Sequence, residues 1–592
     1  MKGLLGSANC GIKKELHEVD VCVVGGGLAG LCAALAAARH GARTLLMHER
    51  PVLGGNASSE IRMHICGADR HGALPNLRES GILEELRLEN ARRNPTQSYS
   101  VWDAILYEKA RFQPGLTLLL NCTCQEAEME GQHIVSVTGW QMTTETYHTV
   151  RANLFIDCSG DAILAPLTGA EFRMGREGRY EFDESLAPEK PDSQTMGMTC
   201  LFEAREYETP QPFEPPSWAY VFPHDEDLPY GAEGHHWWRY GYWWIELGGD
   251  QHSIYDTEAL RDELLKIVFG VWDHIKNRGD HEADNWALEW IGFLPGKRES
   301  RRYIGDYVLS QRDIEAGGPF PDVVAYGGWP MDVHHPAGFR AVRLGSPVTI
   351  FHPTPSPYGI PLRALYSRNI DNLFFAGRCA SCTHIAMSST RVMGTACSMG
   401  QAVGTAAALA VRDGLSPREV GWQRIYELQQ TLLRDDCYLP GIRQMFGPLT
   451  QAARLISSRG DPEPLRDGIN RPVDTDSHCW PCAPGDWVAY LLFNAAQIEE
   501  VTVIVDSALD RLLTQDHDKP QPGQLFTVPP VMPKSFHLDV LMCGQWVPYC
   551  EVRGNYQRLV RLPLRKMVEG VRFVLDETWG SDMTRLYAFY LD

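Results

Sequence analysis

The chain has 592 residues, 44% hydrophobic and 22% charged; that is too long for one core and predicts roughly two to four globular domains. Its net charge of −20 and pI of about 5.5 oppose nucleic acid and anionic membrane surfaces as partners. No apolar run is long enough to span a bilayer, and residues 1–20 lack the sustained apolar core of a secretory signal, so a cytoplasmic protein is expected.

In chain order, residues 1–19 read as an N-terminal extension. The first predicted strand, Asp20–Val24, leads into Gly25-Gly-Gly-Leu-Ala-Gly30 and an Ala/Leu-rich helix over 28–39 that stops at Gly41. Strand character resumes at Arg43–Met47 and ends on Glu49. Strand, glycine turn, helix, strand and acid make a dinucleotide-binding unit, so a redox cofactor is the first expectation. In it Gly25 permits the tight turn, Gly27 lets backbone approach a pyrophosphate and Gly30 lets helix and strand pack closely. The helix N-terminus offers unpaired N–H groups to phosphate. Glu49 can accept from ribose hydroxyls and would repel a 2′-phosphate, which opposes an NADP-type ligand.

A second turn-rich segment, Gly54–Arg62, follows, then a helix over 80–93, strands near 117–123 and 134–139, and a buried strand entering the turn Ser159-Gly-Asp161. Residues 166–345 change character. Aromatics crowd at 235–246, and Pro and Gly interrupt often, which predicts an antiparallel sheet with long loops as a substrate domain. Residues 358–411 return to α/β, with a short strand in Asn372–Arg378 and a long Gly/Ala/Thr-rich helix over 392–412; Gly400 and Gly404 would let that helix lie close to a neighbour. Another helix covers 426–433. From about 466 to 592, short alternating strands near 501–505, 536–541, 571–575 and 586–591 predict a separate β-sandwich.

The sixteen cysteines are expected to be reduced and mostly buried. The CxxC pairs Cys379/Cys382 and Cys479/Cys482 leave a zinc or redox role open, but no matching second half is evident and no metal is expected.

Several segments together support a comparison. Glu49-Arg-Pro-x-x-Gly-Gly55 resembles the loop beside the flavin in FAD-dependent oxidoreductases of the glutathione-reductase-like class. Gly54-Gly-Asn-Ala-Ser-Ser-Glu-Ile-Arg-Met-His64, Arg298-Glu-Ser-Arg-Arg-Tyr-Ile-Gly-Asp306, Tyr358-Gly-Ile-Pro-Leu-Arg363, Asn372-Leu-Phe-Phe-Ala-Gly-Arg378 and Met387-Ser-Ser-Thr-Arg-Val-Met393 resemble the broad FAD-dependent oxidoreductase family of bacterial genomes. They lie in that family's order over residues 20 to about 440. The resemblance implies FAD as cofactor. With the patterning above, the expected architecture is an α/β fold with a Rossmann-like FAD-binding domain at 20–165 and 346–445, an inserted antiparallel substrate domain at 166–345 and a C-terminal β-sandwich at 466–592. The heterodisulfide reductase flavin subunit is a distant relation, but the iron–sulfur cysteine clusters are missing.

Expected cofactor contacts are Gly25, Gly27, Gly30, Glu49, Arg50, Gly54, Gly55, Asn56, Ser159, Gly160, Gly377, Arg378 and Gly394. The strand ending at Ala376-Gly377 and the helix beginning near Val392 can serve the flavin end, where a helix N-terminus stabilises negative charge. Catalytic candidates are His384, His64 and His334, because imidazole titrates near neutral pH, and Arg391, which can add to the stabilisation of negative charge on a reduced flavin. Glu60, Arg62, Arg298, Arg301, Asp332 and Arg363 are expected near a polar substrate, with an ion-pair network around the cofactor as the alternative for the arginines.

The expected activity is hydride transfer between a small polar substrate, preferably the C–OH of a sugar or sugar derivative, and flavin N5. Alternatives are reduction of an unsaturated carboxylate, as in fumarate-reductase-like flavoproteins, and a carbohydrate-binding protein with a structural flavin. Trp480, Trp487 and Trp579 would stack on a sugar or belong to the module's core; that module would bind carbohydrate, cover the active site or join subunits of a homo-oligomer. The electron acceptor is left unassigned.

Overall fold

The computed structural model describes residues 12–231, 242–279, 281–355, 357–513 and 523–592. Its centre is a mixed sheet. Strand β1 (Lys13–Val24) carries β2 (Thr44–Met47) and then β3 (Leu116–Leu119) on one side, all parallel. On its other side lies β6 (Thr146–Asp157), also parallel. The far edge of β6 is shared. Its first half pairs antiparallel with β5 (His133–Gln141), which pairs with β4 (Cys122–Glu130), and its last residues pair in parallel with Leu373–Phe375. The residues expected as an N-terminal extension therefore supply, from Lys13 on, the outer half of β1. Residues Val21–Val24 of β1 are all buried, as a strand covered on both faces must be.

Helix α1 (Leu28–Arg39) is buried along its whole length except Arg39, because a second helix, Met393–Asp413, covers it. A Cβ on Gly400 would stand 2.1 Å from the Ala29 carbonyl oxygen, and one on Gly404 2.2 Å from that of Ala33. The two glycines thus allow backbone-to-backbone contact, and α1 is the expected neighbour. Helices α2 (Ile82–Arg93) and α3 (Tyr99–Arg111) complete this side.

The inserted region departs from the expected sheet. Its strands form small separate antiparallel sets: Glu246–Leu247 and Gly296–Lys297 flank Met198–Thr199, Phe202–Glu206 pairs with Trp286–Ile291, and Met331–His334 pairs with Thr349–His352. What organises their core is a 21-residue helix, Thr257–Asn277. Its Leu260, Leu264, Val268, Val271 and Ile275 recur every three or four residues and pack against Phe202, Phe222, Tyr242 and Trp244. Of the aromatic run, His235–Gly241 lies outside the described residues.

The C-terminal strands form one hydrogen-bonded antiparallel path of Trp480–Cys482, Thr584–Leu591, Trp487–Val505, Leu559–Thr578, Pro533–Met542 and Gln545–Val552, with Arg454–Ser457 pairing Trp487–Val505. Register breaks in the two long strands bend them around a shared core. Trp480 belongs to that core, fully buried with its indole N–H on the Arg459 carbonyl; Trp487 and Trp579 are half-buried. The module is docked on α2. Buried Arg78 donates to the carbonyls of Ser507, Ala508 and Arg511 while paired with Glu84.

Candidate active site

In the sheet Val24 is level with Asp157, and Asp157 with Phe375. The turns after these three parallel strands therefore stand side by side. They open one cleft of about 610 Å³ at the carboxyl ends of the strands, where open α/β sheets take ligands. Gly25, Gly27, Gly54, Gly55, Asn56, Ser159, Gly160, Gly377 and Arg378 all line it, as do the first residues of α1 and of helix Met393–Asp413. The glycine-bearing segments near 25 and 377, more than 300 positions apart in sequence, thus meet in one place.

The glycines of the first turn divide by cause. Gly25 has φ +100, and a Cβ on it would lie 2.5 Å from the Cys158 backbone; one on Gly30 would lie 1.8 Å from the Gly25 carbonyl oxygen. Both are demanded by the packing of the protein itself, and Gly30 does not face the cleft. Gly27 is different: its φ is −61, which any residue adopts, and the nearest atom to a Cβ there would be Gly55 Cα at 3.9 Å. Among the described residues nothing fills that space, and the N–H groups of the first turn of α1, which have no intrahelical partner, border it. Two buried donors lining the same cleft, Arg50 Nη1 and Trp329 Nε1, have no hydrogen-bond partner among the described residues. A dinucleotide with a diphosphate and a polar ring fits this set.

At the β2 end Glu49 is exposed on the cleft, with Arg50 3.7 Å from it and 3.7 Å from Glu60. Between them and the glycine turn lies His48, which the sequence reading passed over. The Gly26 N–H donates to His48 Nδ1 at 2.9 Å, and Nε2 donates to the Val52 carbonyl at 3.0 Å. Burial, aided by the Arg50 charge, drives its pKa down to about 4, so the ring is neutral and ties the glycine turn to the following loop. Arg378 reaches Asp161 at 3.0 Å and Ser300 at 2.9 Å, while Lys297 meets the other Asp161 oxygen at 2.7 Å. Burial alone would raise the Asp161 pKa, but these two cations hold it well below the usual range. Arg301 also lines the cleft and donates to the Asp161 carbonyl at 3.2 Å.

The inserted region closes the other end of the cleft. His334 Nδ1 is 2.6 Å from Glu246 and its Nε2 3.0 Å from Asp332. Arg391 donates to Asp332 at 2.9 Å, and Arg298 lies 3.4 Å from Glu246 and donates to Thr199 at 2.6 Å. Burial would push both carboxyls up; instead His334 with Arg391 holds Asp332 down, and Arg298 with His334 holds Glu246 down. Trp243 meets the His334 ring edge-on at 6.0 Å, and Trp329 meets Phe351 at 6.3 Å. His334, Asp332, Arg298 and Arg391 all line the cleft, and buried His64 lines it as well.

Other candidates lie elsewhere. His384 does not face the cleft. It starts the short helix His384–Thr390, 2% exposed, with Nδ1 2.8 Å from Glu299 and its backbone N–H on Glu177 at 2.7 Å. Arg302 bonds both of those carboxylates, so His384 belongs to a closed ion network behind the site. Arg62 is taken up by Glu203 at 2.7 Å and lies over Trp290, and Arg363 by Asp322 at 3.0 Å. Glu60 faces Arg50, and Gly394 gives room to the Glu79 carboxylate; none of these four lines the cleft. Cys379, Cys382, Cys479 and Cys482 are buried thiols whose pKa burial raises, Cys382 and Cys482 to about 12. Among the described residues every cysteine is free, and neither CxxC pair joins a metal-type cluster.

Among the described residues, no helix is long and apolar enough to cross a membrane. No curated protein matches the chain. Among solved structures, a geranylgeranyl bacteriochlorophyll reductase-like protein from Thermoplasma acidophilum is 12% identical, with a TM-score of 0.30 over 71% of this chain and 86% of that one. The p-nitrophenol 4-monooxygenase of Pseudomonas putida is also 12% identical, with a TM-score of 0.30 over 70% of this chain and 88% of that one. The family 32 carbohydrate-binding module of Streptococcus pneumoniae EndoD is 18% identical, with a TM-score of 0.19 over 24% of this chain and 97% of that module. The sequence model of the family described as FAD dependent oxidoreductase matches residues 20–432. That match spans well over half of the chain, which belongs to this family and is an FAD-dependent oxidoreductase.

Proposed function

We propose that the chain oxidises the C–OH group of a polyhydroxylated, sugar-like substrate. The observation that carries this reading is His334, braced by Glu246 and Asp332 at the end of the cleft where Trp243, Trp329 and Phe351 supply aromatic walls. Bound FAD supplies the hydride acceptor; Gly27 with the α1 N-terminus, Glu49, Arg50, Gly377 and the start of helix Met393–Asp413 are the residues to hold it. Loss of hydride from a C–OH carbon also needs a base for the hydroxyl proton. Glu246 accepts from His334 Nδ1–H, and His334 Nε2 with Asp332 forms one hydrogen-bonded pair that receives this proton. A proton received at Nε2 is stabilised at once by Asp332, 3.0 Å away. Arg391 and Arg298, each paired with a carboxylate, can donate hydrogen bonds that orient substrate hydroxyls, and the aromatic rings suit the C–H faces of a sugar.

Anaerobic mixing of the holoprotein with sugars, polyols and sugar acids tests the proposal. Bleaching of the flavin band by a member of that set is expected. His334→Gln should keep its flavin and slow bleaching by about 10²–10⁴-fold. No bleaching across the whole set refutes the reading. A second reading, reduction of an unsaturated carboxylate, is favoured by Arg391, whose buried Nε has no hydrogen-bond partner among the described residues. It requires that an enoate reoxidise the reduced protein.

A further inference from the structure

Three residues of the inserted region meet away from the cleft. Asp225 opens the short turn Asp225–Asp227, His274 sits in the last turn of helix Thr257–Asn277, and His281 follows that helix. His274 Nε2 is 3.0 Å from Asp225 Oδ1 and 3.1 Å from His281 Nε2, and His281 Nε2 is 3.7 Å from the same Asp225 oxygen. The three atoms form a compact, nearly equilateral triangle.

His274 Nδ1 lies 2.7 Å from the Phe222 carbonyl oxygen, which only accepts, so Nδ1 carries a hydrogen and Nε2 is the ring atom turned toward Asp225 and His281. Zinc-type bonds of about 2.0–2.1 Å place the ligand atoms of a tetrahedron about 3.3–3.4 Å apart, and the three separations bracket that spacing. A backbone carbonyl on the far nitrogen is the usual orienting partner of a metal-bound imidazole. The last turn of a helix, with its outward carbonyls, adds partial negative charge.

We propose that Asp225, His274 and His281 bind one divalent transition-metal ion of the zinc class. The two imidazoles are buried, while the Asp225 side chain is 40% exposed. The ion cross-links three segments of a region whose sheets are only short pairs: the loop after Phe222, the end of the central helix and the approach to strand Trp286–Ile291. The other cluster of this kind, Glu15, His17 and His148, differs. There Lys13 already pairs with Glu15, so a cation is in place on its carboxylate.

The test uses the full-length holoprotein, stripped with a chelator and titrated with zinc and separately with cobalt(II). One equivalent of zinc is expected by elemental analysis. Cobalt should give ligand-field bands at longer wavelength than the flavin. His281→Gln should lower metal affinity by about 100-fold or more, since loss of even an outer partner costs about 10–100-fold, and should leave flavin content unchanged. His17→Gln should bind like the parent. Failure of the stripped parent protein to take up stoichiometric zinc or cobalt overturns the proposal, as does equal binding by His281→Gln. Either result would leave the three side chains as a hydrogen-bonded cluster without a metal. If His281→Gln does not fold, the parent titration alone decides.

Discussion

Gly27 separates space kept for a cofactor from space demanded by packing. Replacing it with Ala puts a methyl group 3.9 Å from the nearest protein atom, Gly55 Cα, at a φ of −61 that Ala adopts freely. As the N-cap of α1, Ala is worse than Gly by about 0.5 kcal/mol, while the stiffer unfolded chain returns about 0.4–1 kcal/mol. The stability of the flavin-free protein should therefore change by no more than about 0.5 kcal/mol. The same methyl enters the space between Gly27 and Gly55 beside the α1 N-terminus, and overpacking of that size costs about 1–3 kcal/mol. FAD affinity should fall about 5–150-fold. Urea unfolding of the flavin-free protein and titration with FAD by flavin fluorescence measure the two quantities. Gly25→Ala is the contrast: at φ +100, with its Cβ 2.5 Å from the Cys158 backbone, it should lose about 3 kcal/mol or more of stability whether or not FAD is present. Undiminished FAD affinity in a stable Gly27→Ala protein would refute the placement of the diphosphate at this turn.

Two further perturbations probe groups beside and behind the cleft. His48, neutral in the fold with a pKa of about 4, gains its proton only near that value, whereas the unfolded chain gains it near 6.5. Stability is therefore full above about pH 6.5 and falls by about 3 kcal/mol as the pH drops to 4; His48→Gln, which keeps an acceptor and a donor, should flatten urea midpoints across that range. His384→Leu takes a charge-assisted hydrogen bond from buried Glu299 and should cost about 2–4 kcal/mol of stability. Photoreduction of its bound flavin should proceed as in the parent, and full stability with lost turnover would return His384 to the catalytic set.

The cofactor half of the molecule was legible because its information is contiguous. A buried strand, a glycine turn, an Ala-rich helix and an acid follow one another from Asp20 to Glu49, and each dictates its local geometry without help from afar. Gly400 and Gly404 likewise announced a close helix contact. The roles of the histidines were not legible. His384 and His334 carry the same ring, and they are told apart by Glu299 and Glu246, which lie 85 and 88 residues away in sequence. Proximity to a motif placed both near the flavin; only the fold turns one toward the cleft and encloses the other with Arg302. The helix Thr257–Asn277 was missed although Leu260, Leu264, Val268, Val271 and Ile275 keep its period, because the aromatic run upstream drew the whole region toward strands. His48 had a usable signal, a polar residue inside an otherwise apolar buried strand end.

The charges at the substrate end bear on which of the two proposed reactions the site suits. Arg391 is paired with Asp332, and Arg298 with Glu246, so the four charges cancel and the cleft offers an anion little net attraction. A neutral polyol loses nothing by this arrangement, whereas a carboxylate substrate would have to compete with Asp332 for Arg391. Asp332→Asn removes that competitor while keeping the shape. A unit charge about 4 Å away is worth about 4 kcal/mol at an effective dielectric constant near 20, and water entering the open cleft reduces this; a gain of about 1–2 kcal/mol is expected, or about tenfold tighter binding of a dicarboxylate such as succinate. Binding of neutral polyols should stay nearly unchanged, and their oxidation should slow because the proton at His334 loses its stabilising carboxylate. Perturbation of the flavin spectrum reads both affinities. A parent protein that already binds the dicarboxylate more tightly than Asp332→Asn would reverse the preference and favour the unsaturated-carboxylate reaction.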